Sequence, residues 1–124
     1  MEQTMNDRRY IAIGTNTEGS LWSGHFGMSP RFAIYSPTGE LVEVRPNPYG
    51  AGNGPAAHHD NPRLIVELLH DCGVFIAQRM GDDSRRNLVE RQGVRPVLTE
   101  AKTVEIALHA YLASLATQED VEAA

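Results

Sequence analysis

Along the first half of the chain apolar residues come in short runs broken by turn chemistry, while in the second half they recur at helical spacing. Residues 9–14 (RYIAIG) form a compact apolar run followed by GTNTEGS, which predicts a buried central strand and a turn. Residues 31–35 (RFAIY) and 40–45 (ELVEVR) are two further strand-like runs, joined by SPTGE, whose Pro-Thr-Gly suits a hairpin. Phe32, Ile34 and Leu41 alternate with polar neighbours, so both strands are expected to cover one face. Residues 46–61 (PNPYGAGNGPAAHHDN) are too rich in Gly, Pro and Asn for a regular element and predict the longest loop, mobile until something closes it.

Asn61 is placed to cap a helix with Pro62 in its first position and Leu64, Ile65, Leu68 and Leu69 on one face, ending near Asp71. Residues 72–77 (CGVFIA) predict a strand. Asp82, Asp83 and Ser84 offer caps for a brief helix through Leu88 and Val89 that stops at Gly93. Residues 94–97 predict the last strand, and Thr103 caps a closing helix whose Val104, Ala107, Leu108, Tyr111, Leu112 and Leu115 share a face. The order is β-β-β-α-β-α-β-α. Strands joined by tight turns pair antiparallel and strands separated by helices pair parallel, so a mixed five-stranded sheet with three helices packed on it satisfies both, an α/β fold. The expected organisation is a disordered tail over 1–8, a single domain over 9–116 and a disordered acidic tail over 117–124.

A chain of 124 residues is one domain's worth of sequence, and its net charge of −5 gives no electrostatic grip on a phosphate backbone, so nucleic acid is not an expected partner. Cys72 is the only cysteine, which excludes an internal disulfide and a four-cysteine iron-sulfur or zinc site within one chain. No apolar run approaches a membrane span and MEQTMNDRR has no signal-peptide core, so a cytoplasmic location without membrane contact is expected.

The candidate chemistry is a set of metal ligands. His25 stands between glycines in WSGHFGMSPRFAIY, where backbone able to take positive φ would present the ring at a turn. His58 and His59 lie in the long loop, and Cys72 opens a strand close to His70. If the third strand runs antiparallel to the second, the loops carrying His25 and His58-His59 leave the same sheet edge, where α/β folds form ligand crevices. Imidazole and thiolate suit iron and copper better than calcium. Each residue also has a structural explanation: a turn histidine, solvated loop histidines, a small buried cysteine, a packing role for Met28, and helix-end or surface positions for His70 and His109. No Gly-x-Ser-x-Gly elbow or phosphate loop is present, so hydrolase and nucleotide-binding activities are not expected.

HFGMSPRFAIY, followed in order by DCGVFIAQRMG, LVERQGVRPV and TVEIALHAYL, resembles the dinitrogenase iron-molybdenum cofactor biosynthesis family over residues 9–116, nearly the whole chain. The resemblance implies a ribonuclease-H-like sheet without nuclease activity, since the first strand, YIAIGTN, carries no acid to anchor catalytic metal ions. It implies a stand-alone, non-enzymatic carrier, chaperone or scaffold for an iron-sulfur or iron-molybdenum cluster or its precursor, as in nitrogen fixation. Some small members that hold a molybdenum-copper sulfide cluster are the alternative, and an interaction domain without metal is the rival. His25 matches the family motif as cluster ligand, with His58, His59 and Cys72 following, and Arg31 and Arg79 as charges that offset the cluster. The implied partners are proteins that donate and accept the cluster, with the carrier itself a monomer or weak homodimer.

Overall fold

The computed structural model describes residues 8–50 and 62–123. His58, His59, the capping Asn61 and most of the predicted loop therefore lie outside the described residues. Strands β1 (Tyr10–Thr15), β2 (Arg31–Tyr35) and β3 (Leu41–Pro46) precede α1 (Pro62–Leu68), β4 (Cys72–Ala77), α2 (Asp82–Asn87), β5 (Arg95–Leu98) and α3 (Val104–Ala123). The sheet runs β3-β2-β1-β4-β5, antiparallel across its first two pairings and parallel across the last two. This mixed five-stranded sheet with three helices has the ribonuclease-H-like order expected from the sequence.

β1 is buried along its length because it has a neighbour on each side and a helical layer over each face. Ala12, Phe32, Ile34, Phe75 and Ala77 pack with Ile65, Val66, Leu69 and Leu88 on the side of α1 and α2. Ile11, Ile13 and Ile76 pack with Val104, Ala107 and Leu108 on the side of α3. The predicted face of α3 is thus the one it buries, and Thr103 Oγ1 caps it by accepting a hydrogen bond from Ile106 N at 3.2 Å. Gly93 takes positive φ (68°), which lets the chain turn sharply into β5 after a π-helical turn over Leu88–Gln92.

Several expectations change. β3 is an edge strand whose Leu41, Val42 and Val44 are exposed, and β2 is buried on both faces, so the one-face alternation expected of this hairpin is not what the strands use. Burial follows position in the sheet, since β2 lies inside it and β3 on its rim. α1 ends at Leu68, short of Asp71, where Arg45 Nη1 takes the Leu68 carbonyl at 2.9 Å. α2 begins without a side-chain cap. Arg8, assigned to the tail, belongs to the fold: its Nη1 donates to the carbonyls of Leu69 (3.1 Å) and Cys72 (2.9 Å). α3 extends to Ala123, into the segment read as a tail.

Candidate functional site

The carboxyl ends of β1 and β4 point to one sheet edge, and the antiparallel turns of β2 and β3 bring the start of β2 and the end of β3 there as well. The topological condition for convergence of the loops is met at that edge. After β1, the Asn16 side chain accepts from the amides of Glu18 and Ser20 at 2.9 Å each, folding the turn, and Trp22 N returns to Gly14 O. His25 follows in extended backbone (φ −65°, ψ 142°) and leads into a one-turn 3₁₀ helix, Phe26–Met28.

The backbone of His25 is fixed from three directions. Its carbonyl accepts from Trp22 Nε1 at 3.0 Å and from Met28 N at 2.9 Å, and a parallel bridge joins it to Arg79, where Phe26 N donates to the Arg79 carbonyl at 3.0 Å. Behind the turn, buried Ser29 donates to Phe26 O at 2.7 Å. Buried Asn47 donates to the carbonyls of Gly27 (3.0 Å) and Ser29 (2.8 Å). The imidazole itself is exposed. The positive φ expected of the flanking glycines is absent, since among the described glycines only Gly19, Gly39 and Gly93 adopt it. Gly24 is needed for another reason: a Cβ there would lie 2.9 Å from Trp22 Nε1, inside van der Waals contact. A Cβ at Gly27 would meet Ile65 at an ordinary 3.6 Å.

His25 stands at the lip of a cleft of about 570 Å³ bounded by this turn, α1, the end of β4 and α2. Its floor is apolar, made by Phe26 and Phe75, stacked at 4.8 Å, with Ile65, Val66 and Leu88. Met28, Met80, Asp83, Ser84 and Asn87 also line it.

The other candidates scatter. Arg79 adjoins His25 through the backbone and is exposed. Arg31 lines a separate groove of about 290 Å³ with Tyr35, Val104 and Glu105, and its Nη1 donates to Thr17 O, so the structure does not bring it to the His25 cleft. Cys72 opens β4 at the opposite end from the cleft, a full strand away at about 3.3 Å per residue. It is buried, and burial together with the neighbouring Asp71 charge pushes its thiol up to about 12. A thiol held protonated is a poor metal ligand. His70 and His109 are exposed, on α1's trailing turn and on α3. Among the described residues, no three His, Cys, Asp or Glu side chains come together as a metal site.

Sequence reasoning missed Asn47 and the α2 rim. Asn47 sits in a Pro-Asn-Pro triplet that reads as loop, and only the fold shows its side chain turned inward to two carbonyls. Met80 was legible only as one more apolar residue beyond a strand.

A family model described as dinitrogenase iron-molybdenum cofactor matches residues 8–114, which span every strand, the His25 turn and the cleft. No curated protein matches the chain.

Proposed function

Since the chain belongs to the dinitrogenase iron-molybdenum cofactor family, we propose that it is a carrier that holds an iron-sulfur or iron-molybdenum cluster, or a precursor of one, without catalysing its chemistry. The observation that supports this reading is the exposed His25 imidazole, mounted on a hydrogen-bonded turn at the lip of an apolar-floored cleft. The cleft's size falls in the range of cofactor pockets, roughly 300–1,000 Å³. Neutral imidazole supplies a lone pair to an outward-facing metal atom. The stacked phenylalanines make the inner side apolar, and Arg79, whose backbone adjoins His25, is the cation we assign to an anionic sulfide cargo, although the lining itself carries the acidic Asp83. A single ligand holds cargo weakly enough for it to pass on to an acceptor protein.

The test is anaerobic reconstitution with iron and sulfide, with and without molybdate, followed by desalting, an absorption spectrum and metal analysis. Wild-type protein is expected to retain charge-transfer bands. The His25→Ala variant should keep apo stability within about 0.5 kcal/mol, as surface substitutions do, and lose most of the retained metal. Equal retention by the variant would remove His25 as ligand, and a bare wild-type spectrum would favour an interaction domain without metal. In a parallel reconstitution with copper, molybdate and sulfide, molybdenum eluting together with copper would identify the mixed sulfide cluster as cargo.

A further inference from the structure

The open rim of the sheet at β3 has the features of a surface for a second copy of the chain. Leu41, Val42 and Val44 are 56%, 49% and 50% exposed, an unusual concentration of bare aliphatic side chains on one short strand. On the α3 side Leu41 and Val44 border a shallow groove with Ala33 and Tyr35. The opposite rim is different, because β5 carries Pro96 within its four residues and its edge is interrupted.

The direction of β3's edge groups follows from its register. Asn47 N donates to Pro30 O, in line with the pairing of Pro46 with Arg31 and Val44 with Ala33. Antiparallel pairs alternate between hydrogen-bonded and non-hydrogen-bonded. Arg45 and Glu43 therefore share the class of Asn47 and turn their backbone groups toward β2, while Val44 turns its N–H and C=O outward. Pro46, which has no N–H, falls in the outward class, where an edge tolerates proline.

We propose that two copies of the chain pair antiparallel through β3 about a two-fold axis at Val44. In that register Val44 N–H donates to Val44 O of the second copy and the reverse, and the bulge at Val42, where Tyr35 pairs with Leu41 and Ile34 with Glu43, ends the regular ladder on that side. Glu43 stands opposite Arg45 of the second copy, and Arg45 opposite its Glu43. These are non-hydrogen-bonded positions, where cross-strand side chains approach most closely. The charge pattern of the strand is self-complementary in this register; because the Arg45 guanidinium also holds Asp71, the Leu68 carbonyl and its own Glu43, the seam exchanges the Glu43 contact within each copy for one across it. Proline at 46 ends the ladder after few bonds, which makes the association weak and concentration-dependent. The cleft of each copy remains open, so the proposal stands apart from what the cleft carries.

Sedimentation velocity from about 10 μM to about 1 mM, the span in which weak dimers form, tests it. Wild type is expected to shift from monomer to dimer. Val44→Pro, which removes an outward N–H, should keep the melting temperature near wild type and stay monomeric. Glu43→Lys, which sets like charges opposite each other twice, should raise the dimer Kd at least about tenfold. If Val44→Pro fails to fold, Glu43→Lys decides alone. A wild type that is monomeric throughout, or a dimer untouched by Glu43→Lys, would overturn the proposal. His25→Ala should leave the association unchanged.

Discussion

Arg45 grips Asp71 at two points, Nη1 to Oδ1 at 3.0 Å and Nη2 to Oδ2 at 3.1 Å, and so fastens the edge strand β3 to the turn between α1 and β4. The same guanidinium takes the Leu68 carbonyl at the end of α1. One side chain thus closes a helix, seats a turn and holds down a strand.

This pair makes stability pH-dependent in a defined direction. Hydrogen bonding from Arg45 holds the Asp71 carboxyl below its ordinary value of 3.8, against the opposing effect of burial. A depressed carboxylate contributes its stability above the ordinary value, and the contribution is lost as pH falls below it through the still lower value of the folded state. Asp71→Asn should cost about 1.5–3 kcal/mol at pH 7, the range for hydrogen bonds to charged groups. Thermal melts at descending pH should show the gap between variant and wild type closing below about pH 4. A gap that persists at low pH would mean that the carboxylate charge contributes nothing.

Cys72 should be chemically quiet and structurally useful. With its thiol pushed up to about 12 by burial and the Asp71 charge, alkylation of the folded protein at pH 8 should run at least about 100-fold slower than in guanidinium. Cys72→Ser puts a hydroxyl into a wholly buried site and should cost roughly 1–3 kcal/mol while leaving cluster retention unchanged. Lost retention at an unchanged melting temperature would instead make the sulfur a ligand.

Asn47→Ala should act on folding and on the site together. It removes the donor to the Gly27 and Ser29 carbonyls and the acceptor for Tyr49 N at 3.0 Å, at a cost of about 2–3 kcal/mol for buried groups left without partners. Because those carbonyls belong to the turn that mounts His25, metal retention should fall as well. Combined melting and retention measurements separate this pattern from that of His25→Ala, in which only retention falls.

Much of this fold was legible because burial and periodicity agree wherever an element lies inside the structure. RFAIY predicts β2 residue for residue, CGVFIA predicts β4, and the spacing from Val104 onward predicts the buried side of α3. Leu41 failed because a side chain's hydrophobicity does not tell whether its strand is central or at the rim. His25 was legible from its motif, yet the reason for Gly24 was not, since the indole that crowds it reaches back from Trp22 across a turn whose shape no periodicity encodes. Arg31 was grouped with His25 by charge and Cys72 by thiolate chemistry and the family resemblance, and the sheet sets one in another groove and the other at the far end of β4.

The two walls of the cleft differ in rigidity. The His25 wall is anchored by the buried side chains of Asn47 and Ser29. The facing wall is the six-residue α2, which buries none of its residues and is laced by the exposed ion pairs Arg85–Asp82 and Arg86–Asp83. Such i,i+3 pairs contribute only a few tenths of a kcal/mol each, so distortion of that wall is inexpensive beside distortion of the turn. The cleft resembles a vice with one fixed jaw and one yielding jaw. A change of bulk along residues 82–87 is therefore expected to move that wall and leave the His25 turn in place.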